Sequence, residues 1–163
     1  LKSVKGVSGR MESLPAEGFD FSVILDFAHT PDGLSNLLSA VQGFAKGRVI
    51  AVFGCGGDRD NAKRPIMGAT AAKLADLCVV TSDNPRTEDP DEIIREIVAG
   101  MKDKRTPTKV ICDRREAIAW AIDNAAPGDV LLLAGKGHED YQVVGHEKHH
   151  MDEREIVSDC LKK

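Results

Sequence analysis

Short apolar runs, each closed by a polar or glycine-rich segment and then by a helix-periodic stretch, constrain the fold of this chain more than any other feature. Phe21 to Phe27, Arg48 to Phe53, Leu77 to Thr81, Lys109 to Cys112 and Asp129 to Leu133 read as strands. Pro31 to Phe44, about Arg64 to Leu74, Asp91 to Met101 and Arg114 to Asn124 read as helices between them. In the first helix Leu34, Leu37, Leu38 and Val41 share one face. Thr30 is its natural cap, ahead of a proline in the first turn. Pro90 and the acids behind it suit the start of the third. Continuous apolar strands need cover on both faces, and repeated βα units supply it. The fold class that follows is α/β, a three-layer sandwich around a mostly parallel sheet with right-handed crossovers. Near the end, Tyr141 to Val144 and Glu147 to His149 flank Gly145-His146 and predict a small antiparallel hairpin. A last helix is expected from Asp152 to Leu161. Residues 1–18 read as a leading segment with a short antiparallel strand near Met11 to Leu14, and 19–163 as the domain itself.

Composition removes several classes of function. The 163 residues suffice for one domain with a sizeable core. Acids outnumber Lys plus Arg, 26 to 22, and only 4% of residues are aromatic. Neither an electrostatic pull toward nucleic acid nor a base-stacking surface is expected. No apolar run approaches the roughly 20 residues that span a bilayer, and no signal-peptide pattern is present. Cys55, Cys78, Cys112 and Cys160 are widely spaced and mostly in or beside apolar runs, which fits reduced thiols and a cytoplasmic setting. A start at Leu1 in a charged, irregular segment suggests a piece of something longer.

Chemistry-bearing residues gather where the strands end, the rim at which open parallel sheets bind ligands. Asp83-Asn84-Pro85-Arg86 closes the Leu77 strand. Arginine forks onto a carboxylate, aspartate accepts from an ammonium, and asparagine does either, so the set suits an amino acid. Asn-Pro is also an ordinary turn signal. Asp26 to Asp32 (DFAHTPD) puts Asp26 and His29 at a helix start, suited to a nucleotide; Asp32 is equally a helix-start residue and His29 a packing one. Gly54 to Asp60 (GCGGDRD) lets a backbone approach a ligand closely. Arg59 or Lys63 suits phosphate there, with Asp58 or Asp60 orienting a cation or base. It is neither a Walker A loop nor a clean G-x-G-x-x-G. Ala134 to Asp140 (AGKGHED) offers Glu139 to an ammonium, while Lys136 and His138 read equally as solvated loop residues. His146, His149, His150 and Asp152 fit no standard metal-ligand spacing, and Cys55 has no committed histidine to activate it.

These motifs, with Gly9-Arg10-Met11-Glu12, Lys63-Arg64-Pro65 and Asp152-Glu153-Arg154-Glu155, occur in the order found in the Mur ligases, and the chain resembles the Rossmann-like C-terminal domain of that family. Within it the resemblance is to members that add meso-diaminopimelate to UDP-N-acetylmuramoyl-L-alanyl-D-glutamate in peptidoglycan synthesis. It implies a longer enzyme whose N-terminal domain binds the UDP end and whose central domain carries the P-loop and holds most of the Mg2+. ATP would phosphorylate the glutamate γ-carboxylate, and the incoming amine would displace phosphate. Family roles fall on Arg59, Asp83, Asn84, Arg86, Gly135 and Glu139 for the amino acid, and on Arg10, Asp26, Asp58 and Asp60 toward ATP. His29 and Lys63 are further candidates, and no metal ligand is assigned in this domain. Phe27 stands where the family often has tyrosine.

Two other readings remain at this level: a lysine-adding ligase domain, against which Arg86 argues, and a non-catalytic module that binds an amino acid or nucleotide. A generic NAD-binding domain is weakened by the charged glycine loop.

Overall fold

The computed structural model describes residues 8–163. The elements in chain order are β1 (Glu12–Leu14), β2 (Ser22–Asp26), α1 (Pro31–Gln42), β3 (Val49–Phe53), α2 (Lys63–Leu74), β4 (Leu77–Val80) and α3 (Pro90–Ala99). They continue with β5 (Thr108–Val110), α4 (Arg114–Asp123), β6 (Val130–Ala134), β7 (Tyr141–Val144), β8 (Glu147–His150) and α5 (Glu153–Leu161). The main sheet runs β1-β2-β6-β3-β4-β5, parallel throughout except for β1, which lies antiparallel on β2. β7 and β8 form the separate hairpin, with Val144 opposite Glu147. The part of the leading segment before residue 8 lies outside the described residues.

The period of two in the strands builds two cores. Ile24, Ala51, Phe53, Cys78, Val80 and Leu132 face α1, α2 and α3. Their neighbours Val23, Leu25, Val52, Val79, Leu131 and Leu133 face α4 and α5. Chain direction across the sheet reverses between β5 and β6, and there the connecting helix changes face. A single crossover hand requires that. Caps form where the sequence places them: Thr30 accepts from the Gly33 amide, and Asp89, Asp113 and Asp152 cap α3, α4 and α5. The strand expected through Cys112 ends at Val110, although Ile111 N still donates to Val80 O and Cys112 O accepts from Ser82 N past the end of β4. All four cysteines are free, and burial pushes Cys55 and Cys78 up to about 12. No helix is long and apolar enough to cross a membrane among the described residues.

At the amino end of the sheet, buried Asp129 ties β3 to β6. Its carboxylate accepts from the Arg48 amide at 2.8 Å, the Arg48 guanidinium at 2.8 Å and the Ala126 amide at 2.8 Å. Burial raises this carboxyl, but those donors outweigh burial and hold it below the ordinary carboxylate range. Its stabilisation is therefore complete above the unfolded pKa near 4 and is lost as pH falls through the lower folded value. Asp129→Ala is expected to cost roughly 2–3 kcal/mol at neutral pH, since it strands backbone donors. Urea unfolding of wild type and variant should show that gap narrowing as pH falls below about 4.

Candidate functional site

The carboxyl ends of β2, β3, β4 and β6 carry the loops that the sequence marks as chemical, and together they enclose a pocket of about 380 Å³. It is lined by Phe27, His29, Thr30, Gly56, Arg59, Asp60, Lys63, Asp83, Asn84, Arg86, Gly135 and Glu139. A larger hollow, about 530 Å³, lies between β1 and α5, away from those strand ends. The rim pocket combines convergent polar groups with the position that ligand sites take in open sheets, and it is the stronger candidate.

One wall is cationic. Arg86 is half-buried and sits at φ +52°, an unfavourable conformation for a residue with a Cβ. Backbone bonds hold it there: its amide donates to Val143 O at 3.1 Å, and its carbonyl accepts from Gly145 N at 2.7 Å. The hairpin thus acts as a brace for this loop, a role its sequence did not announce. Arg86 Nη1 donates to Gly57 O at 2.9 Å, and its Nε–Nη2 edge has no hydrogen-bond partner among the described residues. That edge is the one that forks onto a carboxylate. At Gly57 any Cβ would strike Pro85 O, so glycine lets the two loops touch. Arg59 and Lys63 also line the pocket, Arg59 beside Arg86 over Gly56 and Lys63 Nζ donating to His29 O at 2.9 Å.

A second part of the wall is acidic. Asp83 is 7% exposed, and Asn84 Nδ2 donates to Glu139 Oε2 at 3.3 Å. A Cβ at Gly135, whose φ is +118°, would lie 3.0 Å from Asp83 Oδ2. Two buried cations, neither named as a site residue from the sequence, sit under this wall. Lys136 is fully buried, not solvated: its Nζ donates to Asn84 Oδ1 and Tyr141 O, both at 2.9 Å, and lies 3.2 Å from Asp83 Oδ1. Arg114 is paired with buried Glu153 at 2.6 Å and donates to Ala134 O at the end of β6 and to Ser82 O in the loop after β4. Spacing alone does not separate such residues from surface ones. The available signal is a lysine between two glycines directly after a buried strand.

Arginines and carboxylates lining one pocket suit a small zwitterion better than an anion or cation alone. The match of the chain to the family model described as Mur ligase, glutamate ligase domain, runs over residues 9–137. This chain belongs to the Mur ligase family. It is 62% identical over 157 residues to the UDP-N-acetylmuramoyl-L-alanyl-D-glutamate–2,6-diaminopimelate ligase of Trichormus variabilis, covering 96% of this chain and 32% of that protein. The ligase of the same name from Clostridioides difficile is 52% identical, with 100% of this chain and 34% of the relative covered. A solved structure of an enzyme of that name superposes with TM-score 0.87 at 39% identity, over 96% of this chain and 32% of that one. A murein peptide ligase from Psychrobacter arcticus (TM-score 0.66, 19% identity, 96% of this chain and 30% of that one) shares the fold. The chain thus spans about a third of the length of the relatives it matches.

In this Mur ligase domain, of the residues expected toward a nucleotide, Asp60 lines the rim pocket and Arg10, Asp26 and Asp58 do not. Asp26 is buried; its carboxylate accepts from Met11 N and Ala28 N, each at 2.8 Å. It thereby fixes the segment carrying Arg10, whose guanidinium lies 5.7 Å from the centre of the Phe27 ring. Arg10 has no carboxylate partner among the described residues. His29 Nδ1 bonds Phe27 O at 2.9 Å, and its ring packs against Phe27 at a tilt of 57°. Asp58 points elsewhere: its carboxylate accepts from the Thr87 hydroxyl at 2.7 Å and the Thr87 amide, which holds it below the ordinary carboxylate range. Asp60 lines the pocket while bonding the Ala62 amide.

Proposed function

We propose that this chain is the amino-acid-binding C-terminal domain of a cytoplasmic, ATP-dependent amide ligase that joins meso-diaminopimelate to UDP-N-acetylmuramoyl-L-alanyl-D-glutamate. The observation that carries the reading is the braced Arg86, its Nε–Nη2 edge unpaired among the described residues, in a pocket that Asp83 and Glu139 also line. A distal amino-acid centre has one carboxylate and one ammonium, and the two walls match it. Relatives at 52–62% identity bear the name of that ligase.

In this reading Arg86 forks onto the distal carboxylate, and Arg59 adds a second cation. Asp83 and Glu139 take the distal ammonium, Asn84 donates to Glu139 beside them, and Gly135 leaves the room. Holding one end fixed turns attack by the other amine into an encounter of positioned groups. Residues up to 18 join the domain to its central and N-terminal neighbours, although 12–14 already belong to its sheet. ATP, when bound, supplies the phosphoryl group that activates the accepting carboxylate. The domain fits such a neighbour: Arg10 is an exposed cation without a carboxylate partner, fixed through Met11 and Asp26. Mg2+ belongs mainly to the central domain.

The test is phosphate release by the full-length enzyme supplied with ATP, Mg2+, the nucleotide dipeptide and one amino acid. meso-Diaminopimelate should be preferred over lysine by kcat/KM at least ~100-fold, because lysine leaves Arg86 without a carboxylate. A preference for lysine would replace the reading with the lysine-adding alternative, and turnover with neither amino acid would favour a binding module.

The ATP side has its own expected result. Asp26→Ala in the full-length enzyme frees Met11 and Arg10, and should lower turnover or raise the ATP requirement severalfold. KM for diaminopimelate should change little. Steady-state titration of each substrate separates the two, and a large loss confined to diaminopimelate would mean the subsites are reversed.

A further inference from the structure

We propose that Lys136 is a positioning residue that sets both the orientation and the net charge of the acidic wall. The inference rests on the amino-acid reading of the pocket. Lys136 is fully buried at the end of β6, and four oxygens surround its ammonium. They are Asn84 Oδ1 and Tyr141 O at 2.9 Å, Asp83 Oδ1 at 3.2 Å and Glu139 Oε2 at 3.6 Å. Three of the four belong to side chains that line the pocket. The ammonium is below the wall and not offered to a ligand.

Two consequences follow from elementary chemistry. Asn84 Oδ1 takes donors from both Lys136 and the Val143 amide, so the amide cannot flip, and Nδ2 must point at Glu139. Asp83 and Glu139 together carry two negative charges, and Lys136 cancels one. The wall then presents one net negative charge, the complement of one ligand ammonium. Without the lysine, two carboxylates share a partly buried site, and one of them tends to keep a proton. Other charged groups around the cluster are Arg114 with Glu153 beneath it, Arg86 on the same loop, and Arg59, Asp60 and Lys63 in the same pocket lining. None of these cations contacts Asp83 or Glu139 within ion-pair distance, so they do not replace Lys136.

The experiment uses the full-length enzyme with Lys136→Met, which keeps the length of the stem, and Lys136→Gln, which keeps a donor for Tyr141 and Asn84 but no charge. Both variants should raise KM for meso-diaminopimelate at least ~30-fold, with kcat within about threefold and KM for ATP unchanged. Both should also lose more kcat/KM toward low pH than wild type does, because two carboxylates left without the lysine favour keeping one proton. Where Lys136→Met fails to fold, Lys136→Gln carries the test. Wild-type KM in Lys136→Gln, or a loss equal at every pH, would overturn the proposal. Failure of the underlying reading appears separately, as wild-type enzyme that does not use meso-diaminopimelate.

Discussion

Arg86→Ala in the full-length ligase is expected to lower kcat/KM for meso-diaminopimelate at least ~100-fold, about 2.7 kcal/mol. Lysine should be hurt much less, because it has no distal carboxylate to lose. Discrimination between the two amino acids should therefore collapse even if the variant remains a poor lysine ligase. The residue lies in a loop outside both hydrophobic clusters, so its removal opens no core cavity. It does sit at φ +52°, where alanine is strained and glycine is not. Arg86→Gly is the control: it should lose the same discrimination with less disturbance of the backbone. Arg86→Lys keeps the charge but not the fork, and should recover only part of the activity. Equal losses for both amino acids in all three variants would place Arg86 at the reacting end.

The isolated 163-residue chain should release no phosphate above blank when incubated with ATP, Mg2+, the nucleotide dipeptide and meso-diaminopimelate. This is the largest expected effect, a complete loss relative to the full-length enzyme. Phosphoryl chemistry needs charge neutralised at fixed positions, and the sequence here has no Gly-Lys-Ser/Thr loop to do it. Supplying the other domains as a separate chain should restore little, since a covalent link provides the effective concentration. Clear turnover by the chain alone would contradict the division of labour proposed for it.

Much of this molecule is legible in its amino-acid sequence. The sheet is written in continuous apolar runs such as Val49–Phe53 and Val130–Ala134, each buried on both faces. The caps Thr30 and Asp89 are legible because their chemistry is local. The rim motifs are legible as a group, since every βα unit delivers its loop to the same edge. Burial of long polar side chains is not. Lys136 and Arg114 look like surface residues in sequence, and only tertiary packing against Asp83, Asn84 and Glu153 makes them interior cations. Arg64 is similar: it reads as a helix start, yet is buried between Glu88, Glu96 and Gly56 O, tying the glycine loop to α3. The destination of a carboxylate is equally hidden. Asp58 looks poised for a nucleotide in sequence, but a backbone at φ +54° turns it onto Thr87. The hairpin follows from its turn residues, whereas its bracing of Arg86 depends on a contact between segments more than fifty residues apart.

The most direct measurement is the crystal structure of the full-length enzyme with meso-diaminopimelate bound. The distal carboxylate should lie within hydrogen-bond distance of the Arg86 Nε–Nη2 edge, and the distal ammonium against Asp83 and Glu139. Diaminopimelate bound with its reacting amine on Arg86, or bound outside the rim pocket, would contradict the assignment.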